Sequence, residues 1–172
     1  MPRIQLEPLP QYPFRCEMTV RTTDLNYGGH LANDRLLSLI HEARVAFLAS
    51  HDMTELDCGG VSLILGDTCV VYQGEAFAGE RLLFEVGGGE PGRCGFRIFY
   101  RVTRPADGAA IALVENGMIC FDYQARRIQP LPEAVRVFDA PIGARGPSGP
   151  DPGEPPPSPE SRSAGSGWSF QS

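Results

Sequence analysis

From Leu31 to Ser50 the chain runs without a glycine or a proline, although 20 Gly and 16 Pro are spread over its 172 residues. Such a stretch predicts one long helix. On a wheel of ~100° per residue, Leu36, Leu37, Leu39, Ile40, Ala43, Ala46, Phe47 and Leu48 occupy more than half of the circumference. Arg35, Ser38, His41 and Glu42 share the rest, so the helix is expected to be mostly buried. Asn33 and Arg44, eleven positions apart, fall on nearly one azimuth inside the apolar arc, and both are expected to need polar partners indoors.

The other segments are strand-like. Phe14-Arg15-Cys16-Glu17-Met18-Thr19-Val20-Arg21 alternates apolar and polar residues, the period of a half-buried strand. Four more strands are predicted at about 61–73, 81–86, 96–104 and 111–122, with Gly87-Gly88-Gly89-Glu90-Pro91-Gly92 and Pro105-Ala106-Asp107-Gly108 as breakers that make hairpins. Phe96, Ile98, Tyr100 and Val102 alternate with Arg97, Phe99, Arg101 and Thr103, giving one core face and one face in water or at an interface.

One apolar helix and one antiparallel sheet of about five strands have an economical solution, an α+β hotdog fold in which the sheet wraps around the helix. Its free edges favour pairing with a second copy about a two-fold axis, so a homodimer or homotetramer is expected. We expect this domain to span 1–140. From Pro141 to Ser172 the chain is rich in Pro, Gly and Ser, with little that is apolar before Trp168 and Phe170, and it reads as a disordered tail.

All 15 basic residues are arginines and the net charge is −6, which disfavours nucleic acid and anionic membranes as partners. The cysteines, Cys16, Cys58, Cys69, Cys94 and Cys120, are odd in number and widely spaced, without a C-x-x-C, so neither a zinc site nor a disulfide framework is readable and no metal is expected. With no signal-like segment and no apolar run long enough for a membrane span, a cytoplasmic protein is expected.

The block Asp24-Leu25-Asn26-Tyr27-Gly28-Gly29-His30-Leu31-Ala32-Asn33, leading into His41-Glu42-Ala43-Arg44, resembles the hotdog acyl-CoA thioesterases of the 4-hydroxybenzoyl-CoA thioesterase superfamily. Val71-Tyr72-Gln73-Gly74-Glu75-Ala76-Phe77-Ala78-Gly79-Glu80-Arg81-Leu82 and Ile128-Gln129-Pro130-Leu131-Pro132 resemble later parts of that family, so the likeness extends over about 12–136. It implies hydrolysis of an acyl-CoA or acyl carrier protein thioester, with no cofactor beyond the coenzyme A of the substrate. It places the catalytic carboxylate at Asp24, as general base or nucleophile. Oxyanion donors fall in the backbone around Gly28, Gly29 and His30, and a structural or substrate-orienting Asn at Asn33.

The chemistry is coherent without the likeness. Thioester hydrolysis needs a group that activates water or attacks the carbonyl, and donors where the oxyanion develops. A Gly-rich turn feeding a helix N-terminus offers such donors. The same residues also have structural readings: Asp24 as an Asx turn, His30 as a capping or packing residue, Asn33 as a cap, and Arg44 as the partner of a carboxylate. Arg97, Arg101 and Arg104 fit either coenzyme A phosphates or a solvated strand face. Two other functions stay open: an enoyl-CoA hydratase or dehydratase in which Asp24 and His30 act together on water, and a catalytically silent module that binds acyl thioesters.

Overall fold

The computed structural model describes residues 4–138. The expected tail at 141–172 and the last residues of the expected domain lie outside them. In chain order the elements are β1 (Phe14–Thr19), a 3-10 turn (Thr22–Asp24), α1 (Asn33–Ala49), β2 (Ser62–Tyr72), β3 (Arg81–Gly89), β4 (Gly95–Arg104), β5 (Ala109–Asp122), β6 (Arg127–Ile128) and a closing 3-10 helix (Glu133–Phe138). The sheet is antiparallel in the order β1-β3-β4-β5-β2, with the two-residue β6 added against β5.

The core lies between α1 and the concave face of this sheet. Leu36, Leu39, Ile40, Ala43, Phe47 and Leu48 of α1 join Leu82, Phe84 and Val86 of β3, Ile98, Tyr100 and Val102 of β4, and Ala112 and Val114 of β5 in one buried cluster. This is the hotdog arrangement, reached because the helix has no other apolar surface to lie against.

Leu37 and Val45 are exposed, so in one chain α1 buries a single face and not more than half of its circumference. Arg44 is buried at 6% exposure and finds the indoor partners its position demands: its Nε donates to Glu55 Oε1 at 2.6 Å and its Nη1 to Asn116 Oδ1 at 3.0 Å. Asn33 shares the azimuth but not the surroundings. It sits in the first turn and is exposed, and among the described residues its side chain has no hydrogen-bond partner.

The glycines at 87–89 are not breakers. They form the end of β3, paired with Phe99, Ile98 and Arg97 of β4. Other parts of the chain press on them: a Cβ at Gly87 would come within 2.8 Å of Leu9 Cδ1, and one at Gly88 within 2.6 Å of Phe138 Cβ. Glycine here admits a close approach of another segment rather than a turn. The same cover explains Phe99, which points to the expected wet face yet is 2% exposed, packed with Leu9 and Tyr12.

Candidate active site

The segment between β1 and α1 is a compact loop closed by its own backbone. Ala32 N–H donates to Asp24 O at 2.9 Å, Leu25 and Leu31 form an isolated antiparallel bridge, and Asn26 N–H donates to His30 O at 2.9 Å. At the tip Gly29 N–H returns to Asn26 O at 3.0 Å, and Gly29 adopts φ +79°, a conformation glycine takes without strain. The Asn26 side chain tightens the tip further, its Oδ1 accepting from Gly28 N–H at 2.8 Å. Leu31 N–H donates to Ala76 O at 2.8 Å, which ties the loop to the connection between β2 and β3.

Asp24 is 2% exposed. Its Oδ2 accepts from Arg21 N–H at 2.8 Å and from Arg21 Nε at 3.0 Å, and its Oδ1 accepts from Arg21 Nη2 at 3.0 Å. The hydrogen-bonded Arg21 guanidinium holds this carboxyl below the usual carboxylate range, against the upward push of burial. Asp24 is therefore ionised at neutral pH, and in this geometry both of its oxygens are engaged by one arginine.

His30 is half-buried. Its Nδ1 lies 3.2 Å from Leu31 O, a group that only accepts, so in this contact Nδ1 is the donor. Around Nε2 stand the Asn26 Nδ2 at 3.4 Å and Glu75 Oε1 at 3.8 Å. The ring and the Asn26 amide both lie against Gly28, where an added Cβ would come within 3.1 Å of Asn26 Oδ1 and 3.2 Å of the imidazole. The Asp24 carboxylate and His30 have separate partners, so the pair that a hydratase would use on water is not joined by a hydrogen bond among the described residues.

The expected backbone donors are redistributed by the same bonds. The N–H groups of Gly28 and Gly29 are spent inside the turn on Asn26. Ala32 stands at the N-cap of α1 with no side-chain cap, and Asn33 does not cap the helix either. The first intrahelical bond runs from Leu36 N–H to Ala32 O, so the N–H groups of Asn33, Asp34 and Arg35, with that of His30, have no acceptor among the described residues. An uncapped, dipole-positive helix start, three residues after His30 in the chain, is an arrangement in which an oxyanion is favoured.

Sequence reasoning missed three participants. Asn26 carried a readable signal, an Asx residue two before a glycine. Arg21 read as the end of a strand, and Glu75 is brought beside His30 only by the tertiary fold. The arginines of β4 are committed to carboxylates: Arg97 to Asp67 and Glu115, Arg101 to Glu85, and Arg104 to Glu80 and Asp107. Among the described residues no group of three His, Cys, Asp or Glu side chains could hold a metal ion. An apolar recess of about 530 Å³, lined among others by Leu9, Tyr12, Phe47, His51 and Phe138, contains none of the candidate residues. It includes residues at the C-terminal end of α1, whereas the chemistry gathers at the N-terminal end of that helix.

A sheet curled around one helix, with an open helix start and a polar loop before it, defines the hotdog class. The profile of the thioesterase-like superfamily matches residues 20–138, and the chain belongs to that family; thioester hydrolysis is the activity that membership brings to it. A 1,4-dihydroxy-2-naphthoyl-CoA hydrolase of Synechococcus elongatus is 29% identical over 128 residues, covering 72% of this chain and 92% of the relative. A 1,4-dihydroxy-2-naphthoyl-CoA thioesterase structure from Synechocystis superposes with a TM-score of 0.65 at 22% identity, over 74% of this chain and 98% of the other. A Thermus thermophilus thioesterase, solved with coenzyme A and zinc, gives a TM-score of 0.64 at 26% identity, over 74% and 97% of the two chains. Among the described residues no helix is long and apolar enough to cross a membrane.

Proposed function

We propose that this protein hydrolyses an acyl-CoA thioester at the N-terminal end of α1, as a homodimer or a dimer of dimers. The observation that carries the reading is the uncapped start of α1, whose first N–H groups have no acceptor among the described residues and which follows His30 by three positions in the chain. The thioester carbonyl oxygen is placed against the open N–H groups of Asn33 to Arg35, where negative charge is stabilised as it develops. Water attacks the carbonyl carbon while His30 Nε2 takes its proton. The C–S bond then breaks, and the departing thiolate receives that proton, giving free acid and thiol. Glu75, 3.8 Å from Nε2, favours the imidazolium formed on the way. Coenzyme A is preferred over an acyl carrier protein because the named relatives act on CoA thioesters.

A second reading keeps Asp24 as general base or nucleophile. Its ionised state supports that role, and the Arg21 side chain that covers it is 67% exposed and can withdraw into water. Comparing His30→Gln with Asp24→Asn in a thiol-release assay over acyl- and aryl-CoAs tests both. Loss of at least ~100-fold in kcat for His30→Gln, with a smaller loss for Asp24→Asn, supports the first reading; the reverse order supports the second. Tight acyl-CoA binding without thiol release identifies a silent module, and hydration of crotonyl-CoA a hydratase.

A further inference from the structure

We propose that Asn26 is a positioning residue that sets the tautomer and the orientation of the His30 ring. This rests on the reading of His30 as the base and adds the residue that keeps it ready. The orientation of the Asn26 amide follows from its partner: Gly28 N–H can only donate, so the atom 2.8 Å from it is the oxygen Oδ1. The amide nitrogen then faces His30 Nε2 at 3.4 Å. A donor in that place favours an unprotonated Nε2 and opposes an imidazolium, whose Nε2–H would meet another N–H. Leu31 O fixes the other end of the ring by accepting from Nδ1 at 3.2 Å. One chain of bonds, Gly28 N–H to Asn26 to His30 to Leu31 O, thus specifies both which nitrogen is protonated and which way it faces.

The contact also leaves Nε2 usable. A separation of 3.4 Å lies beyond the roughly 2.7–3.2 Å of a strong bond, so a water at closer range replaces it without moving the ring. Glu75, on the connection between β2 and β3, is the carboxylate facing Nε2 and acts in the opposite sense, favouring the charged ring. Its side chain is 65% exposed, so solvent screens that pull. Gly28 allows the Asn26 contact, since a Cβ there would crowd both the amide and the ring.

Asn26→Asp is the informative substitution. It keeps an oxygen for Gly28 N–H but turns a donor into a charged acceptor opposite Nε2. Full-length wild type, Asn26→Asp and Asn26→Ala are labelled with 15N and the His30 ring is titrated by NMR, beside pH profiles of thiol release from benzoyl-CoA and hexanoyl-CoA. The expected result is an Nδ1–H tautomer in the wild type. In Asn26→Asp the His30 pKa rises by about one unit or more, and in Asn26→Ala by less. The acidic limb of kcat/KM moves up with it, lowering activity near pH 6 by about tenfold relative to the plateau. An unchanged His30 titration and tautomer in both folded variants overturns the proposal, even if His30→Gln abolishes turnover. A shifted titration in a protein whose His30→Gln variant stays active upholds Asn26 as the residue governing His30 and refutes His30 as the base.

Discussion

Arg21 and Asp24 clasp each other at both carboxylate oxygens, with Nε to Oδ2 and Nη2 to Oδ1 each 3.0 Å, at the point where β1 gives way to the loop before α1. The clasp has a pH signature. Because the carboxyl is held below its ordinary value of 3.8, its stabilising contribution is complete above that value and fades as pH falls through the lowered one. Asp24→Asn should lower stability at pH 7 by about 1 kcal/mol, a charge-assisted bond discounted for the exposure of Arg21. The deficit should shrink as pH falls below the ordinary carboxylate range and through the lowered value, which denaturant melts of the two proteins across pH would show.

The glycines at the end of β3 predict an ordered pair of effects. At Gly88 a methyl group meets Phe138 Cβ at 2.6 Å, close to backbone, whereas at Gly87 it meets the far end of the Leu9 side chain at 2.8 Å. Gly88→Ala should cost about 1–3 kcal/mol, and Gly87→Ala should cost less. Thermal melts giving equal Tm values for the two would show that the closing 3-10 helix does not press on β3.

These glycines also mark where the sequence was legible and where it was not. Alternation in β1 and the Gly- and Pro-free run of α1 are local signals, and both elements form within a few residues of their expected bounds. Leu9 and Phe138 reach Gly87 and Gly88 only through tertiary packing, so the three glycines read as a turn. Asn33 failed for a related reason: a helical wheel assigns direction but not what stands there, and the Asn33 side chain is left exposed where Arg44 meets Glu55 and, on β5, Asn116. At the site, Asp24, Gly28, Gly29 and His30 were visible as a motif. The division of labour among them was not, because it depends on which N–H groups Asn26 consumes and on Arg21 closing over Asp24.

The thiols predict a pattern of reactivity. Cys58 and Cys120 are fully buried, and burial pushes their thiols up to about 12 and about 11. Since the thiolate is the reactive form, both should resist iodoacetamide at pH 8 until denaturant is added, while half-buried Cys16 and Cys69 react sooner. Mass spectrometry of the natively alkylated protein checks this; early modification of Cys58 would contradict its place in the core.

Among the described residues the outer edge of β2 is unpaired, which predicts assembly. Ile64, Leu65 and Tyr72 on that strand are exposed, as are Leu37 and Val45 on α1, and an edge strand with such side chains favours pairing with a second copy. Light scattering at micromolar concentration should give a dimer or tetramer, and Ile64→Lys should shift it toward monomer. A wild-type monomer would contradict the assembly.

The central claim is hydrolysis driven by His30 at the start of α1, and the most direct measurement is free-thiol release by the full-length protein and its His30→Gln variant over a series of acyl- and aryl-CoAs. The wild type is expected to turn over at least one thioester and the variant to lose at least ~100-fold in kcat, with Tm little changed. Turnover by the variant above roughly a tenth of wild type, or no thiol release from any thioester by the wild type, would contradict it.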